Sequence, residues 1–370
     1  MKYKNIHTQM LALLIIILFG CIDKIEFSPP STFEDGVVIQ GKLTKGAPSV
    51  VEVEIKEVFS LSGSPRFINA QYVELWDNQG NNWELNSNVQ GKYQLNIEDT
   101  SEHSIEYGNA YQIKLALNNG EIYESLFDTL YPSISPNELK VVFESQVKTN
   151  NLGFTDTVEV LKFMVDTEFP VFNGQNTNML WEFESVYKLT DSPRIYRTCP
   201  RDCWPTTPRK LPKTCFVNFN PNSNYQTLNT SSLSENKVSD FLLLEAASNS
   251  FVFSEGFYLT VFQESISEST HNYWSIANEI TNREGTIFEP PVGKIPTNFF
   301  NLTNKQTEAF GYFFTTEAKI NRIFVSPELA NHPQRICPGL PNPDGSGPGN
   351  CCNCLCEPNS TLEQPEWWVE

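Results

Sequence analysis

The chain is short of cations, short of histidine and short of long apolar runs. It holds 26 Lys and Arg against 44 Asp and Glu, a formal charge of −18 over 370 residues. A surface of that sign repels phosphate backbones, which excludes nucleic-acid binding without a cationic helper. Charged residues are only 19% of the chain, so the sign reflects scarce cations rather than acidic tracts. The four His are His7, His103, His271 and His332, widely separated and in no metal-binding helix motif. There is no Gly-x-Ser-x-Gly elbow, phosphate loop or dinucleotide fingerprint. Gly345 to Gly349 is glycine-rich, but Pro348 has no N–H to offer a phosphate. After the amino terminus no apolar run approaches a membrane span, and Phe241-Leu242-Leu243-Leu244 is far too short. No catalytic residue, metal or cofactor is therefore predicted. A glycosidase-like carboxylate pair would leave no local spacing by which to find it.

What is plentiful points elsewhere. Aromatics reach 12%, with 26 Phe, and apolar residues 39%, enough to build cores rather than a disordered chain. Nine Cys against four His suits an oxidising compartment better than a cytosolic metalloenzyme.

The amino terminus sets the expected address. Lys2 and Lys4 precede an uncharged apolar stretch from Met10 to Phe19. Ten residues make roughly 15 Å of helix, about half a bilayer core, which fits a signal segment over 1–20 rather than a span. The stretch ends Leu18-Phe19-Gly20-Cys21, which resembles a bacterial lipoprotein cleavage site. That resemblance implies a lipidated Cys21 and a membrane anchor, followed by a tether over 21–35. The alternative is an ordinary secreted chain with a chance Cys. Asp23 and Glu26 resemble the surface-export signals of Bacteroidota lipoproteins, so the expected location is the outer membrane, facing outward. Cleavage removes two cations and no acid, so the exported body is more anionic than the whole chain.

Setting Cys21 aside leaves Cys199, Cys203 and Cys215 in one group and Cys337, Cys351, Cys352, Cys354 and Cys356 in another. If all pair within the chain, three against five requires an odd number of bridges between the groups. The tail, 337–370, would then be stitched to the segment near 199–215. The rival reading is a thiolate metal site in Cys351-Cys352-Asn353-Cys354-Leu355-Cys356, denser than the paired Cys-x-x-Cys of zinc sites.

Residues 36–130 read as a β-sandwich. Val37-Val38-Ile39 opens a strand, Gln71 to Trp76 and Tyr111 to Leu117 alternate in period two, and Asp77 to Asn82 and Asn118-Asn119-Gly120 are turns. A calcium loop starting at Asp77 would need a bidentate Glu at its twelfth position, where Asn88 stands, so the turn is read as a hairpin. Pro132 and Pro136 mark a linker. A larger β-rich domain, 137–336, carries strands at Val158–Val165, Met179–Phe183, Tyr258–Gln263, Phe310–Thr315 and Arg322–Val325. One helix stands out, with Ser265, Ser267 or Ser269 as cap and Tyr273, Ile276, Ala277 and Ile280 as its core stripe. The overall class is mainly β: an immunoglobulin- or transthyretin-like sandwich, then a larger β-rich domain with one notable helix and a disulfide-stapled tail.

Several stretches together resemble a known family. They are Val37 to Thr44, Val73 to Asp77, Gly91 to Tyr93, Tyr107 to Tyr111, Val261-x-Gln263-x-Ser265-x-Ser267, Tyr273-Trp274, Asn282 to Gly285 and Ile287 to Pro291. Phe310 to Phe313, Arg322 to Val325, Cys351 to Cys354 and Pro365 to Trp368 complete the set. On these the chain resembles the Bacteroidota lipoproteins gathered as domain of unknown function 4249. It departs at Glu357-Pro358-Asn359-Ser360-Thr361, where the family usually has Gly and Thr. The resemblance implies no reaction. It implies an accessory partner of a TonB-dependent outer-membrane transporter, acting in substrate capture or capping, and a first module like transthyretin-like or carboxypeptidase regulatory-like sandwiches. Trp204, Phe299, Phe300, Trp367 and Trp368, outside clear strands, are the candidate partner anchors. A stand-alone ligand- or metal-binding lipoprotein is the second reading and a hydrolase the third.

Overall fold

The computed structural model describes residues 36–58, 66–99, 104–149, 154–190, 213–221, 225–231, 233–281, 295–305, 307–335, 340–341, 348–349 and 354–369. Strand β1 (Gly36–Lys45) buries Val37, Ile39 and Leu43 on one side and leaves Gln40 and Lys42 on the other, the two-residue period of a pleated strand. It is followed by β2 (Ser49–Glu57), β3 (Ala70–Asp77), β4 (Asn82–Glu84), β5 (Asn86–Val89), β6 (Lys92–Ile97), β7 (Ala110–Leu117), β8 (Ile122–Ser125) and β9 (Asp128–Thr129). At the β3–β4 turn the Asp77 carboxylate accepts the backbone N–H of Gln79 (3.0 Å) and of Asn81 (2.7 Å) and the Asn81 side-chain amide (2.7 Å). Its oxygens are committed to the hairpin.

Then come β10 (Glu138–Thr149), β11 (Thr155–Glu168), β12 (Val171–Phe172), β13 (Gln175–Asn176), β14 (Asn178–Thr190), β15 (Thr214–Phe219), β16 (Tyr225–Leu228), β17 (Lys237–Ala247) and β18 (Phe257–Ile266). Helix α1 (Glu268–Thr281) precedes β19 (Phe299–Asn301), β20 (Glu308–Phe310), β21 (Phe313–Val325), β22 (Leu340–Pro341), β23 (Pro348–Gly349) and β24 (Ser360–Thr361). The stretch read as two strands near 310–315 and 322–325 is one 13-residue strand, β21. From Glu317 to Phe324 it buries no residue on either face, and Ile320 is 52% exposed, so this part of the strand lacks the half-buried character of the rest.

An eleven-stranded sheet runs in the order β24-β15-β14-β18-β21-β1-β2-β6-β5, with β16 beside β14 and β20 beside β1. It crosses the boundary expected at 131–136, because β1 pairs in parallel with β20 and then with β21, Gly41 facing Phe313. Gly311 makes that crossing possible. Its φ is +90°, and a Cβ there would lie 2.0 Å from the Ile39 carbonyl oxygen.

The pleat divides this sheet into two faces. On the front, Ile39 and Leu43 of β1 and Phe313 of β21 pack with Val73, Leu75, Ile113 and Leu115 of the six-stranded sheet β19-β8-β7-β3-β4, in which β9 also pairs with β7. Beside them on the same face, Trp181, Phe183, Leu259 and Val261 pack with Leu161, Phe163 and Val165 of the three-stranded sheet β10-β11-β17. The linker residues are tied to this core: the Ile134 carbonyl accepts the Gln263 amide (2.8 Å), and the Ser133 N–H donates to Glu317 (2.7 Å). The back face carries α1 at one place and the tail at another. Tyr273 of α1 packs with Leu180, Ile266, Tyr312 and Phe314, and Trp368 packs with Val186 and Phe216.

Candidate functional site

Lys42 leaves β1 on the back face, and its ammonium reaches across β21 to two carboxylates. Glu182 of β14 is 2.6 Å away and Glu264 of β18 is 2.7 Å away. The β14–β18 register places Leu180 opposite Glu264, so Glu182 and Glu264 are diagonal neighbours on one face. Glu264 is 1% exposed and Glu182 33%. Burial raises the Glu264 carboxyl above the usual range while the Lys42 charge opposes the rise, and its second oxygen has no hydrogen-bond partner among the described residues. Burial works against the charge on Lys42 too, yet Glu264 and Glu182 together hold its pKa above the ordinary lysine value. The ammonium is fixed and ionised.

An aromatic wall stands next to this triad. Tyr273 and Trp274 come from α1, Tyr312 and Phe314 from the start of β21. Tyr273 stacks on Tyr312 at 4.3 Å between centroids, and Trp274 meets Phe314 edge-on at 5.9 Å. The Lys42 ammonium lies 5.3 Å from the Phe314 ring centroid, a cation–π distance. The wall, the Lys42–Glu182 pair, and Glu52, Glu54, Lys92 and Tyr93 from β2 and β6 enclose an open cavity of about 440 Å³. That is within the range of small-ligand sites.

The helix that supplies half of the wall is pinned by its cap. Of the three serines considered, Ser267 serves: its carbonyl accepts the His271 N–H (2.9 Å) and its hydroxyl accepts the Thr270 N–H (3.2 Å). Ser265 lies within β18 instead. The Ser267 hydroxyl donates to Asp128 (2.5 Å), whose other oxygen accepts the Thr315 N–H (2.8 Å). Burial raises the Asp128 carboxyl above the ordinary range in spite of these bonds. Along α1, Tyr273 and Ala277 are buried as expected, but Ile276 is 37% exposed, so the core stripe is narrower than its spacing implied. His271 is buried, which lowers its pKa, and His332 is exposed.

The residues singled out in the sequence fall in several places. Cys21, Cys199, Cys203, Trp204, Cys337, Cys351 and Cys352, with the signal segment and the tether, lie outside the described residues. Cys215 and Cys354 are disulfide-bonded across 139 residues, a bridge between the two cysteine groups. Cys356 sits in the single turn Cys354–Cys356. Among the described residues no group of three or more His, Cys, Asp and Glu is placed to hold a metal, and no helix is long and apolar enough to cross a membrane.

Of the candidate anchors, Phe300 is 51% exposed, whereas Phe299 at 2% and Trp368 at 3% are core residues. Burial takes Phe299 and Trp368 out of the set of exposed anchors. Trp367 is half-buried, with Arg322 over its ring at 4.5 Å. Tyr258 packs against both tryptophans, at 5.2 and 5.0 Å, and its hydroxyl donates to the Val369 carbonyl (2.7 Å).

Lys42, Glu182, Glu264 and Tyr312 were not among the residues singled out as candidates. Glu182 is 140 residues from Lys42 and Glu264 is 222, so no local spacing joins them. The usable signal was that Lys42, Tyr273-Trp274 and Tyr312 sit inside the stretches that carry the family resemblance.

A search of curated proteins finds no match. A family model described as Domain of unknown function (DUF4249) matches residues 22–321, which include every residue of the triad and of the aromatic wall. On that match the chain belongs to the DUF4249 family.

Proposed function

We propose that this protein is a lipid-anchored lipoprotein on the outer face of the outer membrane, and that it captures a small ligand for a TonB-dependent transporter. The observation that carries the reading is the back-face cavity: about 440 Å³, aromatic on one side, charged on the other, and built on strands of one continuous sheet and the helix packed on it. Sites held on strands keep their geometry better than sites on loops. The signal-like start and Cys21 supply the anchor in this account.

Binding fits the cavity better than hydrolysis. A glycosidase-like carboxylate pair must leave room for the scissile oxygen or a water between its members. Here the Lys42 nitrogen bonds both Glu182 and Glu264 and occupies that gap.

A docking surface is also available. On the outer face of the six-stranded sheet, Phe300 of β19 lies opposite Glu124 of β8, next to Ile122, with Leu302 and Leu126 at the ends of the pair. All four apolar side chains are more than a third exposed. Exposed aromatic and aliphatic groups gathered on one face favour association.

Affinity purification of the tagged, lipidated chain from outer membranes in mild detergent tests the proposal. A TonB-dependent transporter should co-purify, and Phe300→Glu should reduce its recovery. Recovery of the lipoprotein alone contradicts the transporter assignment.

A further inference from the structure

The cavity's charges and rings narrow the class of ligand. Three carboxylates line it: Glu52, Glu54 and Glu182. Two lysines line it with them, Lys42 and Lys92, and each is already engaged. Lys92 and Lys56 both lie 2.6 Å from Glu54, and Lys42 is shared between Glu182 and Glu264. The site therefore keeps one carboxylate in excess, and an entering anion would find its lysines occupied. Aromatic faces carry negative quadrupoles and attract cations. The protein already places one cation, the Lys42 ammonium, against Phe314. The surrounding body, at a formal −18 for the whole chain, draws cations from a distance as well.

We propose that the cavity takes an organic cation, a primary amine, guanidinium or quaternary ammonium on an apolar body, whose charge meets Glu182 and whose body lies on the Tyr273–Tyr312–Trp274 wall, with Glu52 adding to the field from the rim. This rests on the capture reading above and deepens it.

Isothermal calorimetry on the full mature chain tests it, with arginine amide and choline as cationic probes, glucose as the neutral probe and gluconate as the anionic one. The cationic probes should bind, and more weakly as salt is raised. Glu182→Gln should weaken them about tenfold, as expected for loss of a charge-assisted contact. Glu52→Gln, at an exposed position on the rim, should weaken them about two- to threefold, and thermal melts of both variants establish that they are folded. Binding of glucose or gluconate with no heat from either cation overturns the ligand class and leaves capture standing. Silence from all four probes overturns the ligand class and counts against capture in this cavity, while the co-purification experiment continues to judge the transporter assignment separately.

Discussion

Gln263 is fully buried and bonded on every side. It accepts the Trp181 indole N–H at 2.8 Å and donates to the Ile134 carbonyl and the Thr167 hydroxyl, each at 2.8 Å. Gln263→Leu would leave the Trp181 indole N–H unpaired in the core and take away the partner of the Ile134 carbonyl, while Thr167 keeps its bond to the Glu168 carbonyl. Since each buried unsatisfied group costs about 1–3 kcal/mol, the variant should lose about 3 kcal/mol or more in denaturant unfolding. Glu264 gives a second prediction. Its carboxyl is raised from 4.5 to about 7 by burial, so the folded state holds the proton more tightly than the unfolded chain. Its contribution favours folding below the ordinary carboxylate value and is lost as pH rises toward neutrality. Relative to Glu264→Gln, the wild type should therefore lose Tm between pH 4.5 and about 7, and parallel profiles would contradict this account of Glu264. Neither role was legible in the sequence. Gln263 and Glu264 stand in a stretch that carries the family resemblance, but their partners lie on other strands and a linker.

At the scale of elements, local pattern and local structure agree where one face of a strand is buried and the other is not. That holds for β1 and β3, whose period-two alternation is plain, whereas β7 alternates in sequence but is buried on both faces. The agreement fails for β21, which buries no residue from Glu317 to Phe324, and for α1's stripe at Ile276. The tail was legible in part: cysteine parity called for a bridge between the groups, and Cys215–Cys354 is one. In the tail Asn359 has φ +60°, a conformation that Asn adopts more readily than most residues. This turn delivers β24 to the edge of β15. Joining residues 139 apart restricts the unfolded chain strongly. Replacing Cys215 and Cys354 together by Ser should cost about 2–5 kcal/mol and expose the tail to protease. Unchanged stability and protease resistance would show that the Trp368 packing alone holds it.

At the scale of the whole molecule, the two halves share a sheet where the sequence suggested separate domains. The parallel pairing of β1 with β21 spans nearly the whole chain, and non-local pairing of this kind leaves no local pattern to read. Gly311 is its narrowest point. Gly311→Ala would drive a Cβ into the Ile39 backbone, so the variant should lose the single cooperative transition expected of the wild type, as followed by calorimetry. The cavity exists because of the same join, since Lys42 belongs to the first half and Glu182, Glu264, Tyr273 and Tyr312 to the second. A structure of the full mature chain solved with arginine amide tests the central claim most directly. The account predicts ligand density between Glu182 and the Tyr273–Trp274–Tyr312 wall. Density in another cavity, such as the 710 Å³ one lined by Asn173, Asn176 and Asn229, with the back-face cavity empty, would contradict it.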